Sequence, residues 1–216
     1  MTLATWNVLH RIHAENWNEA AVLSRFPDEA VRIAAITHRV KTLLLEGEDT
    51  CVCLQEVSGD QLTSLRNALP LFAVCSFAYP RLPRLKQEGP SPLEDTSEHL
   101  VTIARSATQF AAEAFPTDPG KGCLAVAIGD TIVVNAHVSF GRRREKQIAR
   151  VATLAGAGRC GLCGDFNATA EQVLKSIGSG FSPCDLGPGA APTDSGPTDI
   201  FPSFREITEL PPTPVL

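Results

Sequence analysis

No stretch of this sequence approaches the roughly 18 consecutive apolar residues of a membrane span, so no membrane partner is expected. Tyrosine occurs once and tryptophan twice in 216 residues, which gives no support for an aromatic platform that stacks single-stranded bases. Lysine and arginine total 19 against 24 acidic residues, a net charge of -5. A chain so short of positive charge does not grip a nucleic-acid backbone non-specifically, because that affinity comes from counterions released by many cationic contacts. Phosphate chemistry, if present, must rest on a local site. The seven cysteines are odd in number and scattered, which excludes a fully paired disulfide framework and suits reduced, buried thiols. Cys160 and Cys163 form a CxxC, but no second pair at zinc-finger spacing accompanies them. That motif also ends a strand where a redox motif would open a helix, so it reads as structural. The first strand-like run begins at Thr2, leaving no room for a secretory leader, and a cytoplasmic location is expected.

What is present is a globular pattern. Hydrophobic residues make up 44% and charged residues 20%, and the length suits a single domain over residues 1–216. Short apolar or alternating runs predict strands at Leu3–Val8, Thr50–Leu54, Leu71–Phe77, Leu100–Ala104, Cys123–Ile128, Thr131–Val138 and Arg159–Cys163. Helical spacing appears at Asp28–Leu45, Gly59–Leu69, Arg142–Ala155 and Ala170–Ile177. Gly129-Asp130 between two strand runs predicts a hairpin. Tyr79–Ser97, rich in proline and charge, predicts a long exposed loop. The tail from Gly187 is irregular until "TDIFPSF", which could form a short strand.

Several strand runs carry polar groups near their C-terminal ends: Asn7, Glu56, Asn135 with His137, and Asp165 with Asn167 just beyond. Singly, each is a cap or a satisfied surface group. Together they would offer carboxylates, amides and an imidazole to one cleft, an oxygen-rich set suited to Mg²⁺ or Mn²⁺. Residues two apart on an extended chain share a face, so Asp165 and Asn167 can address one substrate while Phe166 turns to the core. Such a carboxylate can deprotonate water, and such an amide can donate to an oxygen gaining charge. Cations lie in two further groups, Arg81, Arg84 and Lys86 in the long loop, and Arg142 to Arg144 with Lys146 after the His137 strand. Arg142 and Arg143 open a helix, where positive charge opposes the dipole, and they are candidate substrate-binding residues.

"TWNVLH", "LQEV", "SEHLVTIAR", "NAHVS" and "GDFNA", in this order, resemble the endonuclease/exonuclease/phosphatase superfamily of metal-dependent phosphoesterases. The resemblance implies an α/β (α+β) fold, a four-layer sandwich of two mixed β-sheets flanked by helices. It implies a Mg²⁺- or Mn²⁺-dependent attack of water on a phosphoester; the substrate, which loops select, is not settled by the resemblance, and nucleic acid is expected ahead of a small phosphorylated molecule. Glu56 matches the main metal ligand and Asn7 the amide beside it. His137 matches the phosphate-side histidine, with Asn135 close by as a substrate contact. Asp165 matches the residue that orients or activates water, and Asn167 the amide that stabilises the pentavalent phosphorus.

"PTDIFPSF" resembles the late strand whose aspartate, here Asp199, partners a histidine of a following Ser-Asp-His motif. The sequence continues "REITELPPTPVL", and no histidine follows position 137. The expectation is a chain shortened at its C-terminal end or a naturally altered site. The remaining readings are a non-catalytic phosphate-binding descendant and a small-molecule phosphatase. Leu9 stands where the abasic-site branch carries a carboxylate, which counts against that branch.

Overall fold

The computed structural model of the chain describes residues 1–156, 158–178 and 180–182. Asp199 and the strand expected around it lie outside the described residues. The first half runs β1 (Thr2–Asn7), α1 (Arg11–Trp17), α2 (Ala20–Arg25), α3 (Glu29–Glu46), β2 (Thr50–Ser58), α4 (Gly59–Ala68), β3 (Ala73–Ala78) and β4 (Glu98–Ala104). The second half runs β5 (Thr108–Phe115), β6 (Asp118–Ile128), β7 (Thr131–His137), a 3₁₀ turn (Gly141–Arg143), α5 (Arg144–Ala155), β8 (Cys160–Asp165) and α6 (Ala170–Ile177). The strands form two four-stranded sheets, ordered β1-β2-β4-β3 and β5-β6-β7-β8. Both are mixed: β1 runs parallel to β2 and β7 to β8, and the other pairs are antiparallel.

Alternation along β2 sets the layering. All of its residues are buried, because each face is covered. Val52 and Leu54 pack with Ile36, Val40 and Leu44 of α3 and with Leu62 and Leu65 of α4. Cys51 and Cys53 turn the other way, onto Leu124, Val133 and Cys163 of the second sheet. Beyond that sheet, Val134 and Ala136 of β7 meet Ile148, Val151 and Ala155 of α5. Helix, sheet, sheet and helix therefore stack as four layers, as the sequence resemblance implies. The apolar stripe of α3 begins after an Asp28 cap, whose Oδ1 accepts from the Ala30 amide at 2.8 Å.

Three elements escape the sequence periodicity. Helices α1 and α2 have 7 and 6 residues, too few for an apolar stripe to repeat. Strand β5 is alanine-rich, exposed along its first half and broken by two register shifts, as befits a sheet edge. The Gly129-Asp130 turn joins antiparallel β6 and β7 as expected, with Gly129 at φ 60°. The long loop is largely exposed, yet Asp60 of α4 ties it down by accepting from the Glu94 and Asp95 amides at 2.9 and 3.0 Å.

One glycine fixes the register on which the site depends. Gly164 has φ 132° and pairs with Ala136, and a Cβ there would lie 1.9 Å from the Ala136 carbonyl oxygen. The same register sets His137 opposite Asp165. Gly164→Ala is expected to lower stability by about 2–3 kcal/mol, from backbone strain plus overpacking. Denaturant unfolding checks this, and an unchanged midpoint would refute it.

Candidate functional site

The parallel pairs β1/β2 and β7/β8 end at one edge of the sandwich and bring Asn7, Glu56, His137 and Asp165 together. At Glu56 the strand departs from regular pairing. Leu54 pairs with Val101 and Val57 with His99, so three steps along β2 match two along β4, which is a β-bulge. Glu56 sits in that bulge at φ 58°. The described non-glycine residues with positive φ are Leu9, Asn18, Glu56 and Asn167. Three of these belong to the site or adjoin Asn7, which is where stored backbone strain concentrates.

Asn7 is the hinge of the polar network. Its Nδ2 donates to Glu56 Oε1 at 3.1 Å and to Asp165 Oδ2 at 3.0 Å, and its Oδ1 accepts from the Leu9 amide at 3.0 Å. One side chain thus holds a carboxylate from each sheet. The second oxygen of Glu56 accepts from the His10 amide at 3.2 Å, and Asp165 Oδ1 accepts from the Asn167 amide at 3.0 Å. The Asn167 side chain donates to the Val138 carbonyl at 2.8 Å. His137 Nε2 lies 3.5 Å from Glu56 Oε1 and 3.7 Å from Asp165 Oδ2. A layer further out, Arg32 donates to the Val8 carbonyl at 2.7 Å and pairs with Glu29, holding α3 against the end of β1.

Sequence reasoning missed three members of the cluster. Lys121 contacts both ring nitrogens of His137 and lies 3.9 Å from Glu56 Oε1. Glu98 is buried, and one of its carboxylate oxygens falls within 4.8 Å of donor atoms of both Glu56 and His137. His13, on α1, meets Glu98 Oε2 through Nε2 at 3.0 Å. Glu98 opens β4 and Lys121 is the fourth residue of β6; these strands run antiparallel to β2 and β7, so strand starts and strand ends share this edge. A search of both ends of each predicted strand would have found them.

Other expected residues lie differently. Asn135 is fully buried between the sheets. Its Nδ2 donates to the Leu54 and Val101 carbonyls at 3.1 and 3.0 Å, and its Oδ1 accepts from Gln55 Nε2 at 2.7 Å. Its polar atoms thus face the first sheet and tie the two together. Arg142 and Arg143 are exposed on the 3₁₀ turn, and Arg143 donates to the Thr117 carbonyl at 2.7 Å.

Electrostatics follow from burial and charge. Burial pushes the Glu56 pKa upward, but His137, Lys121 and His13 and the Asn7 bond outweigh it and bring it to about 2. Glu98 is raised, chiefly by burial. Burial disfavours charge on His13, yet its bond to Glu98 and the nearby carboxylates raise it. Burial and then Lys121 hold His137 at about 4, and burial and then His13 hold His10 at about 4. Both rings stay neutral in the folded protein until the pH nears 4, whereas the unfolded chain protonates them below about pH 6.5. Their effect on stability is therefore absent above that pH and becomes a loss as pH falls toward 4. His13, whose pKa is raised, works the other way, but two rings outweigh one, so in EDTA the urea midpoint is expected to drop between about pH 7 and pH 5. A flat profile would contradict this.

A divalent cation fits these residues. Ligand atoms of Glu56, Glu98 and His137 lie within 4.8 Å of one another, two hard carboxylates beside one imidazole, a set that suits a small divalent cation. Glu98 Oε1 is buried without a hydrogen-bond partner among the described residues, a cost of about 1–3 kcal/mol that a bound cation would relieve.

Solved structures share this arrangement of elements. One is an endonuclease/exonuclease/phosphatase family protein from Bacteroides thetaiotaomicron, 17% identical, with a TM-score of 0.55 over 82% of this chain and 66% of that protein. The chain has the fold of the endonuclease/exonuclease/phosphatase superfamily. A second is D. rerio TDP2 humanised by 14 mutations, 16% identical, with a TM-score of 0.52 over 82% of this chain and 66% of that one. The chain spans just under two thirds of the length of each of these proteins. No family model and no curated protein matches the sequence.

Proposed function

We propose that the chain is a Mg²⁺- or Mn²⁺-dependent phosphoester hydrolase of the cytoplasm, a phosphodiesterase or nuclease that works by attack of water on phosphorus. The observation that carries this reading is the bridge made by Asn7, whose amide bonds both Glu56 and Asp165 beside His137. Glu56, Glu98 and Asn7 are the residues to hold the metal, with His137 next to them. When bound, the cation would neutralise charge on the phosphate oxygens and favour ionisation of a water.

Each remaining residue has a task its surroundings support. Asp165 accepts the proton of the attacking water, since a carboxylate is acceptor-only when ionised. Asn167 gives one N–H to Val138 and keeps the other for a phosphoryl oxygen. His137 and Lys121 face the phosphate, and Lys121 supplies positive charge that grows in value as the phosphorus centre becomes more anionic. Arg142 and Arg143 contact phosphates farther along the substrate. Asp199 enters by the resemblance alone, which pairs it with a histidine that no position after 137 supplies. Asn135 fixes the two sheets on which the rest depends.

Residues 1–216 are taken as one domain, a view supported by the core shared between the sheets. The reduced state of the six described cysteines suits the cytoplasm. No helix among the described residues is long and apolar enough to cross a membrane. The test compares a phosphodiester with a phosphomonoester at equal concentration in Mg²⁺ and in Mn²⁺. Faster cleavage of the diester is expected. Preference for the monoester would indicate a small-molecule phosphatase, and binding of both without cleavage a phosphate-binding descendant.

A further inference from the structure

Helix α1 places His13 and Trp17 four residues apart, so their side chains lie on one face. The two rings stack at a centroid distance of 5.2 Å and an interplanar angle of 18°. His13 in turn rests on Glu98, so a single ring separates the indole from the carboxylate cluster. One face of Trp17 is thereby covered, while the residue remains 56% exposed, against 6% for Trp6 in the core. Tryptophan is a costly residue to leave in water, and it is used where one side is apolar and a partner arrives.

The neighbouring residue brings positive charge to the same place. Asn16 donates to the Arg84 carbonyl at 2.9 Å and accepts from the Lys86 amide at 2.8 Å, which fixes the long loop against α1. Arg84 and Lys86 are both exposed. Another aromatic, Phe140, is 72% exposed three residues beyond His137. Aromatic faces with flanking cations are what a single strand requires, because every base has a π-face and every linkage a negative charge.

We propose that Trp17 is the stacking surface for a base of a single-stranded oligonucleotide whose phosphodiester enters the Glu56–Asp165 cluster, with Arg84 and Lys86 holding neighbouring phosphates. This rests on the hydrolase reading above and adds the part of the substrate beyond the reacting phosphate. The scarcity of aromatic residues is no obstacle, since one indole with a covered face and a free face suffices.

The chain has two tryptophans, and only Trp17 is open to solvent, so its fluorescence reports the contact directly. In EDTA and low salt, an oligothymidylate is expected to quench the emission, whereas a sugar-phosphate strand of equal length without bases is not. Trp17→Ala is expected to weaken the oligothymidylate roughly tenfold, within the range for one base on one ring, and the abasic strand far less. Trp17→Phe should restore most of the affinity, and circular dichroism confirms that each variant is folded. Equal weakening of both strands, or none, would overturn the proposal. Metal-dependent cleavage of a phosphodiester without bases tests the hydrolase reading separately. Quenching without any cleavage would leave the base contact standing and remove the hydrolase, whereas cleavage without a base-dependent effect of Trp17 would do the reverse.

Discussion

Glu56→Ala is expected to lower kcat/KM on a phosphodiester by at least about a thousandfold and to remove Mg²⁺-dependent protection against unfolding. The magnitude follows from two losses. On the proposed function the main metal ligand goes, and with it charge stabilisation worth several kcal/mol. The His10 amide also loses its acceptor, and Asn7 loses one of the two carboxylates it bridges while keeping Asp165 and the Leu9 amide. An unpaired buried donor costs about 1–3 kcal/mol, so some stability is lost as well. Glu56→Gln keeps the volume and an acceptor oxygen, and separates the effects: stability should largely return while activity does not. Turnover of either variant at the wild-type rate would remove Glu56 from the site.

Asp165→Asn should cost a hundredfold to ten-thousandfold in kcat, the range for loss of a positioned general base, because an amide cannot take a proton from water. The fold should be kept, since the side chain is isosteric and its remaining oxygen can still accept from Asn167 or Asn7. One of those two bonds is lost, at about 1 kcal/mol. Single-turnover kinetics on the folded variant check the assignment, with the chemical step slowed and binding little changed. A wild-type chemical step would contradict it.

Much of this arrangement was legible in the sequence because parallel strands announce their ends. Asn7, Glu56, His137 and Asp165 each close a hydrophobic run, and the structure brings all four to one edge. The layering was legible too, since β2 is apolar on both faces from Cys51 to Leu54. Glu98 and Lys121 were hidden by strand direction, because they lie in the first residues of antiparallel strands, whereas the other polar groups lie at strand ends. Asn135 shows the limit of the period-two rule. It shares a face with His137, but two residues back along the strand is roughly 6–7 Å deeper, and at that depth it meets Gln55 and Leu54 of the other sheet. His13 and Trp17 lie on a helix of 7 residues, too short for periodicity to reveal, so their meeting with Glu98 is a tertiary fact.

The central claim is that the carboxylates bridged by Asn7 hydrolyse a phosphodiester with a divalent cation. The most direct measurement is the turnover of a simple phosphodiester by the chain with Mg²⁺ or Mn²⁺, beside EDTA and Glu56→Ala controls. Cleavage is expected that EDTA abolishes, that added metal restores, and that Glu56→Ala lacks under every condition. Cleavage unaffected by EDTA or equally fast in Glu56→Ala would contradict it, as would a folded, metal-binding protein that turns nothing over.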